Sequence, residues 1–194
     1  MKKVSRDFYN RSALVVAKEI LGKTLVHETK EGITKGKIVE VEAYMGAKDK
    51  AAHSYKPHSK RTMIQYGEGG YAYVYLIYGM YICMNVVTNI QNIPEVLLIR
   101  ALEPIDGIEL MKKRRKTNRI KNLCNGPGKL SQAMGITKEN YGEDLCGNTL
   151  YLEDAMPIKS EQIVQTKRIN IDYAEEAKDY LWRFLIKENP YVSK

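Results

Sequence analysis

Arg100 and Glu42 are the two residues whose surroundings make their charge costly. Arg100 is a cation within the apolar run VLLIRALEP (96–104), and a charged side chain is seldom fully buried without a partner. Glu42 and Glu103 are both candidate acids for it. Glu42 lies in KGKIVEVEAY (35–44), where alternation sets Val39, Val41 and Ala43 on one face. Ile38, Glu40, Glu42 and Tyr44 fall on the other. A carboxylate in such a strand ordinarily faces water, and that suffices for Glu40. For Glu42 a functional role is equally open, because Tyr44 sets a ring beside it. A carboxylate held by an arginine is equipped to take a proton from water as a general base.

A second concentration of chemistry is YAYVYLIYGMYICMNVV (71–87), which holds five of the fourteen tyrosines in a chain with two phenylalanines. A strand that only fills a core would favour Val, Ile or Phe, whose side chains have no hydroxyl to satisfy. Alternation places Tyr71, Tyr73 and Tyr75 on one face and Ala72, Val74 and Leu76 on the other. Gly79 permits a bend that thrusts Tyr78 and Met80 outward. An aromatic-rich hairpin with no further role explains the same pattern. NGPGKLSQAMG (125–135) predicts a glycine-proline turn opening a short helix, with Gly128 and Lys129 in its first turn. Free N–H groups there make a phosphate cradle, although the spacing is not that of a P-loop. His53, after two alanines, reads first as structural, and His27 and His58 offer nothing further.

These residues need elements to hold them. A helix is expected over Ser12–Leu21, capped by Asn10 or Ser12 and stopped by Gly22. Strands are expected over 23–29 and 35–44, joined by a turn at 30–32 and paired antiparallel, and then over 96–104, 149–153 and 162–171. Residues 45–70 read as a long polar loop with a short helix around Asp49, and loops of that length are usually functional or disordered. DGIELMKKRRK (106–116) reads as an amphipathic helix whose basic end suits its dipole. Residues 173–186 read as a helix burying the only tryptophan, Trp182. No internal repeat or linker composition interrupts the chain. The fold class expected is α+β, a single mixed domain over 1–194.

A chain of 194 residues with 44% apolar and 28% charged residues can build a sizeable core. Its net charge of +8 favours an anionic partner. Cys83, Cys124 and Cys146 are odd in number and lack metal-ligand spacing, as befits reduced thiols in a cytoplasmic protein. No run approaches eighteen apolar residues and no signal core follows the first lysines, so no membrane contact is expected.

Outward aromatic rings, a candidate Glu–Arg pair and basic phosphate-type turns suit an enzyme that draws a base out of the duplex. Stacking contributes about 1–3 kcal/mol per base, comparable to the cost of unstacking one. The residues also carry a family resemblance. VEAYMGAKDKAAHS (41–54), YAYVYLIYGMYICMNVV (71–87), VLLIRALEP (96–104) and NGPGKLSQAMGI (125–136), in that order, resemble the alkyladenine (3-methyladenine) DNA glycosylase family. FYNRSALVVAKEILGKTLV near the front and DYLWRFLIKENPYVS near the end extend the likeness over nearly the whole chain.

The resemblance implies a monofunctional glycosylase of base excision repair that hydrolyses alkylated purines from duplex DNA. Its substrates would be 3-methyladenine and 7-methylguanine, with hypoxanthine and ethenoadenine as further candidates. Glu42 matches the general base, holding water with Arg100 and a backbone carbonyl near Leu150. Tyr44 and His53 match one side of the base pocket and Tyr75 the other, with Leu98 placed in the same pocket. Asn85 matches an amide that crowds the 2-amino group of normal guanine. Tyr78 matches the wedge entering the duplex, with Met80 and Tyr81 beside it in the minor groove. Lys129, Gly128, Lys60 and Arg61 are the phosphate candidates. The family fold is a mixed domain around a curved antiparallel sheet, with no metal and no organic cofactor. The expected partner is double-stranded DNA, bound by a monomer associated with the nucleoid.

Two departures bear on this. Residues 55–70 are only loosely like their counterparts, which leaves contacts from Met63 open, and the long N-terminal extension of some relatives is missing. Two other classes remain. A DNA-binding module without catalysis leaves Glu42 and Arg100 without a role. The other is a base-modifying transferase or deaminase: the zinc deaminases need H-x-E and P-C-x-x-C patterns, which are absent, and no glycine-rich cofactor fingerprint follows a strand.

Overall fold

In the computed structural model, which describes residues 2–56 and 58–193, one long strand organises the sheet. This strand, β2 (Gly32–Tyr44), pairs through its first half with β1 (Thr24–Thr29), from Thr29↔Gly32 to Thr24↔Lys37. Its second half pairs instead with β8 (Arg183–Ile186), from Glu40↔Leu185 to Glu42↔Arg183. Along its other edge runs β5 (Glu95–Asp106), with register shifts on either side of Glu40. Such bulges bend a strand and sharpen its twist, so the sheet curls where β1 gives way to β8.

The hairpin of β3 (Ala72–Ile77) and β4 (Tyr81–Thr88) extends the sheet beyond β5. β6 (Leu150–Glu153) closes the far edge on β1, and β7 (Ile163–Thr166) pairs with β8. The spatial order is β3-β4-β5-β2-β1-β6, every one of these pairings being antiparallel. Flanking it are α1 (Arg6–Tyr9), α2 (Ala13–Ile20), α3 (Ile108–Arg115) and α4 (Pro127–Met134). The curved, mainly antiparallel α+β architecture is the one expected.

Period-two alternation gives the central strands two working faces. Val41, Ala43, Val74, Met84, Leu97 and Ile99 turn to the core, where α2 and α4 cover them. The helix expected over 12–21 is α2, and its first free N–H, at Ala13, is met by the Glu95 carboxylate at 2.7 Å. No described helix is long and apolar enough to cross a membrane.

Five local expectations are corrected. Residues 173–186 form a 3-10 turn (Glu175–Asp179) followed by β8, and Trp182 is half-buried at the edge of the core. The apolar spacing fits a helix, but the edge of β2 offers unpaired backbone groups, and Ala43 N donates to Trp182 O at 2.8 Å. The strand expected over 162–171 is confined to β7, because Ile169–Ile171 turn in against Glu42. Glu40 is fully buried instead of solvated. The helix of 106–116 has no broad apolar face: in α3 only Met111 is buried. Asp49, where a short helix was expected, lies between the 3-10 turns Gly46–Lys48 and His53–Tyr55 and pairs with Arg168.

Candidate active site

The face of the sheet opposite the core is a cavity floor. Residues directly opposite in antiparallel strands point the same way. The register Tyr73↔Asn85, Asn85↔Leu98 and Leu98↔Glu42 therefore lays four side chains in one row across β3, β4, β5 and β2. Two residues along each strand, Tyr75, Cys83, Arg100 and Tyr44 share that face. All of these except Glu42 line a cavity of about 310 Å³, closed on other sides by His53, Gln65 and Ile169–Ile171.

Glu42 lies just behind the floor with no exposed surface. Its Oε2 accepts from the Tyr44 hydroxyl at 2.9 Å and from Arg100 Nη1 at 3.3 Å. Its Oε1 accepts from the Ile169 N–H at 2.7 Å. A carboxylate has about four lone-pair directions, so three donors leave one for a further partner. Burial and the neighbouring Glu42 push the Tyr44 phenol well above its ordinary pKa, which keeps that hydroxyl a donor. Burial works against the Arg100 cation, yet Glu42 and Glu40 together hold its pKa above the ordinary value.

A buried knot holds Arg100 from behind. Glu40 Oε1 accepts from Arg100 Nε at 3.0 Å, Arg183 Nε at 2.7 Å and the Ser193 hydroxyl at 2.8 Å. Its Oε2 accepts from Ser193 N at 2.6 Å. With both oxygens satisfied, the buried charge is compensated. Sequence reasoning put Glu40 in water because alternation cannot show that β8 and Ser193 cover that face. Glu103, the other acid considered for Arg100, pairs with Lys37 at 2.7 Å.

The aromatic wall comes from two segments. The His53 ring stands edge-on to Tyr75, centroids 4.8 Å apart, and its Nδ1 lies 2.8 Å from the Tyr73 hydroxyl. Tyr73 and Tyr75 are tilted neighbours 5.3 Å apart. Burial, then the nearby Arg61 guanidinium, pushes the His53 imidazole down to a pKa of about 4. Asn85 is buried, and its amide nitrogen donates to Tyr73 O at 2.9 Å, which fixes its orientation. Arg61 reaches inward, with Nε on the Tyr73 hydroxyl at 3.1 Å and its guanidinium 4.6 Å from the Tyr75 centroid. Arg61 was expected at a phosphate, and nothing in the irregular 55–70 loop marks this inward turn.

At the mouth the β3–β4 hairpin carries Tyr78, Met80 and Tyr81, all exposed, with Tyr78 at 74%. Pro127 and Gly128 open α4 beside them, and a Cβ at Gly128 would lie 3.1 Å from that of Tyr81. Lys129 is exposed and bonds Asn125 Oδ1 at 3.0 Å, while Lys60 is exposed on the 55–70 loop. The site thus brings together Glu42, Arg100, Tyr44, His53, Tyr75, Asn85 and Leu98, with Tyr78, Tyr81 and Gly128 at its rim. Leu150 is not among them: it is in β6 opposite His27, and the backbone beside Glu42 is that of Ile169. Gln65, which sequence reasoning passed over, is part of the wall.

The family model described as methylpurine-DNA glycosylase matches residues 7–190. A Clostridium acetobutylicum protein, named provisionally as a 3-methyladenine DNA glycosylase, is 54% identical over 98% of this chain and 97% of its own length. Proteins with the same provisional name from Clostridium novyi and Desulfitobacterium hafniense are 53% and 48% identical. Each of those two alignments covers 100% of this chain, and respectively 100% and 99% of the relative.

Proposed function

Because this chain belongs to the methylpurine-DNA glycosylase family, and so to the enzymes that hydrolyse N-glycosidic bonds in DNA, we propose that it flips alkylated purines out of the duplex and excises them. The substrates are 3-methyladenine and 7-methylguanine, with hypoxanthine as a neutral lesion, and the product is an abasic site. The observation that carries this is the buried Glu42 carboxylate, held by Tyr44, Arg100 and Ile169 N–H at the back of an aromatic cavity.

The extruded base enters with Tyr44 on one side and Tyr75 on the other; His53, expected beside Tyr44, stands edge-on against Tyr75 instead, and Tyr78 fills the gap left in the stack. Glu42 takes a proton from water through its remaining lone pair, and the water oxygen bonds to C1′. The C1′–N9 bond breaks with its electron pair passing to the base. In a cationic alkylated purine that pair cancels the positive charge, so departure needs no protein acid. Asn85, anchored to Tyr73 O, crowds the 2-amino group of normal guanine. The enzyme works as a monomer on double-stranded DNA. Its phosphate contacts come from the start of α4, Gly128 and Lys129, and from Lys60 on the neighbouring loop, while Arg61 turns inward to the aromatic wall.

Glu42→Gln tests the assignment. The amide keeps the size of the side chain but cannot serve as a base. Binding to lesion DNA should persist within a few-fold, while single-turnover excision falls by about 10²–10⁴. Excision close to wild type would remove Glu42 from the mechanism.

A further inference from the structure

Gln65 sits on a short 3-10 turn, Met63–Tyr66, with 1% of its surface exposed, and lines the cavity beside Tyr73, Tyr75 and Asn85. Its amide nitrogen and oxygen have no hydrogen-bond partner among the described residues. The Tyr73 hydroxyl is near enough for the Gln65 amide to act on its pKa, but no hydrogen bond of good geometry joins the two, and that hydroxyl is already engaged by Arg61 Nε and His53 Nδ1. Asn85, the other amide of the wall, contrasts with it because its nitrogen is donated to Tyr73 O. Buried polar groups in folded proteins are almost always paired, and each exception calls for a reason; of the few among the described residues, only Gln65 leaves two atoms open, a donor and an acceptor, and it faces the cavity. An amide left open in both polarities, on the wall of a cavity that fits a flat ring, is one that a ligand completes.

We propose that Gln65 reads the 6-position edge of the extruded purine, and so narrows the range of lesions; this rests on the glycosylase function above. A glutamine amide offers one donor direction and one acceptor direction side by side. A 6-aminopurine such as 3-methyladenine matches it with N6–H as donor and the neighbouring ring nitrogen as acceptor. A 6-oxopurine with N1–H, such as hypoxanthine or 7-methylguanine, matches it after a flip of the amide. In 1,N6-ethenoadenine both N1 and N6 are tied into a ring and that edge has no donor. The amide oxygen of Gln65 would then be shut in without a partner. A site built to hydrogen-bond its substrate rejects an analogue that lacks the group far better than an apolar site does.

The test is single-turnover excision of hypoxanthine and of 1,N6-ethenoadenine from otherwise identical duplexes, by wild type and by Gln65→Met. Methionine fills a similar volume without amide atoms. Wild type should favour hypoxanthine, and the variant should lower the hypoxanthine-to-ethenoadenine ratio by about tenfold. A ratio unchanged by the substitution overturns the proposal. Thermal melting is the companion measurement, since removing two unpaired buried atoms should leave the midpoint level or higher. A marked fall would reveal a structural partner for Gln65 and overturn it equally. If wild type frees no base from methylated DNA, the glycosylase function itself fails. Calorimetric affinities of free hypoxanthine and ethenoadenine for the two proteins then decide the role of Gln65, and equal ratios count against it.

Discussion

Two guanidiniums already face the tyrosines between which a base would lie. Arg168 stands 4.7 Å from the Tyr44 centroid and Arg61 stands 4.6 Å from that of Tyr75. The two are not equivalent. Arg168 is neutralised by Asp49, at 2.6 and 2.8 Å, whereas Arg61 bonds the neutral Tyr73 and His53. From sequence alone, electron-rich rings favour a cationic purine by a cation–π contribution of about 0.5–2 kcal/mol. A second cation about 7 Å away opposes it by roughly 2 kcal/mol at an effective dielectric of 20. Arg61→Met should therefore raise the ratio of 7-methylguanine to hypoxanthine excision several-fold. The same substitution should move His53, whose pKa burial and Arg61 hold at about 4. The folded pKa is depressed, so between about 4 and 6.5 the unfolded chain binds the proton better, and this histidine costs stability as pH falls through that window. In the variant the midpoint of the His53 ring resonance should rise and the window shrink from its acid end. An unmoved midpoint with an unmoved ratio would leave plain stacking as the function of Tyr75.

The β3–β4 hairpin is the element in which local preference and geometry disagree. Met80 N donates to Ile77 O at 3.2 Å, with φ of 52° at Tyr78 and 69° at Gly79. Two left-handed central residues make a type I′ turn, which favours Asn-Gly. Tyrosine in that first position costs about 1–3 kcal/mol. Tyr78→Asn should therefore raise the melting midpoint by several degrees. It should also slow excision of 7-methylguanine and hypoxanthine alike, because the wedge is lost. A lower midpoint, or unimpaired excision, would remove the trade-off. The turn was legible in Gly79, and the cavity floor in the alternation of Tyr73, Tyr75, Glu42 and Tyr44, because strand periodicity is local. What escaped was set by distant partners. Residues 173–186 carry helical spacing, but Arg183–Ile186 become β8, since the open edge of β2 claims their backbone. Glu40 looks solvated until Arg183 and Ser193 close over it. Gln65 and the inward turn of Arg61 come from an irregular loop, where no periodicity says which way a side chain points.

Over the whole molecule the excess of eight positive charges is unevenly available. The basic end of α3 suits the helix dipole, and its arginines also knit neighbouring elements together. Arg114 bonds Glu31 at 2.9 Å, Thr29 at 3.1 Å and the Ala133 carbonyl at 3.2 Å, and Arg115 bonds the Leu123 carbonyl at 3.1 Å. A Cβ at Gly135 would meet the Arg114 guanidinium at 2.7 Å, which shows how closely that side chain is packed. Lys129 is different: it is exposed, among the described residues bonds only Asn125, within its own turn, and is one residue from Gly128 at the cavity rim. Each phosphate neutralised by such a residue releases counterions and adds about 0.9 to the slope of log affinity against log salt. Lys129→Ala should weaken binding to lesion and undamaged duplexes alike and flatten that slope by roughly one unit. Arg114→Ala should leave the slope near that of wild type and lower the melting midpoint, because it breaks packing contacts. Fluorescence anisotropy of a labelled duplex across a salt series separates the two. A slope unchanged by Lys129→Ala would make the start of α4 a structural turn beside Tyr81, with the phosphates held elsewhere.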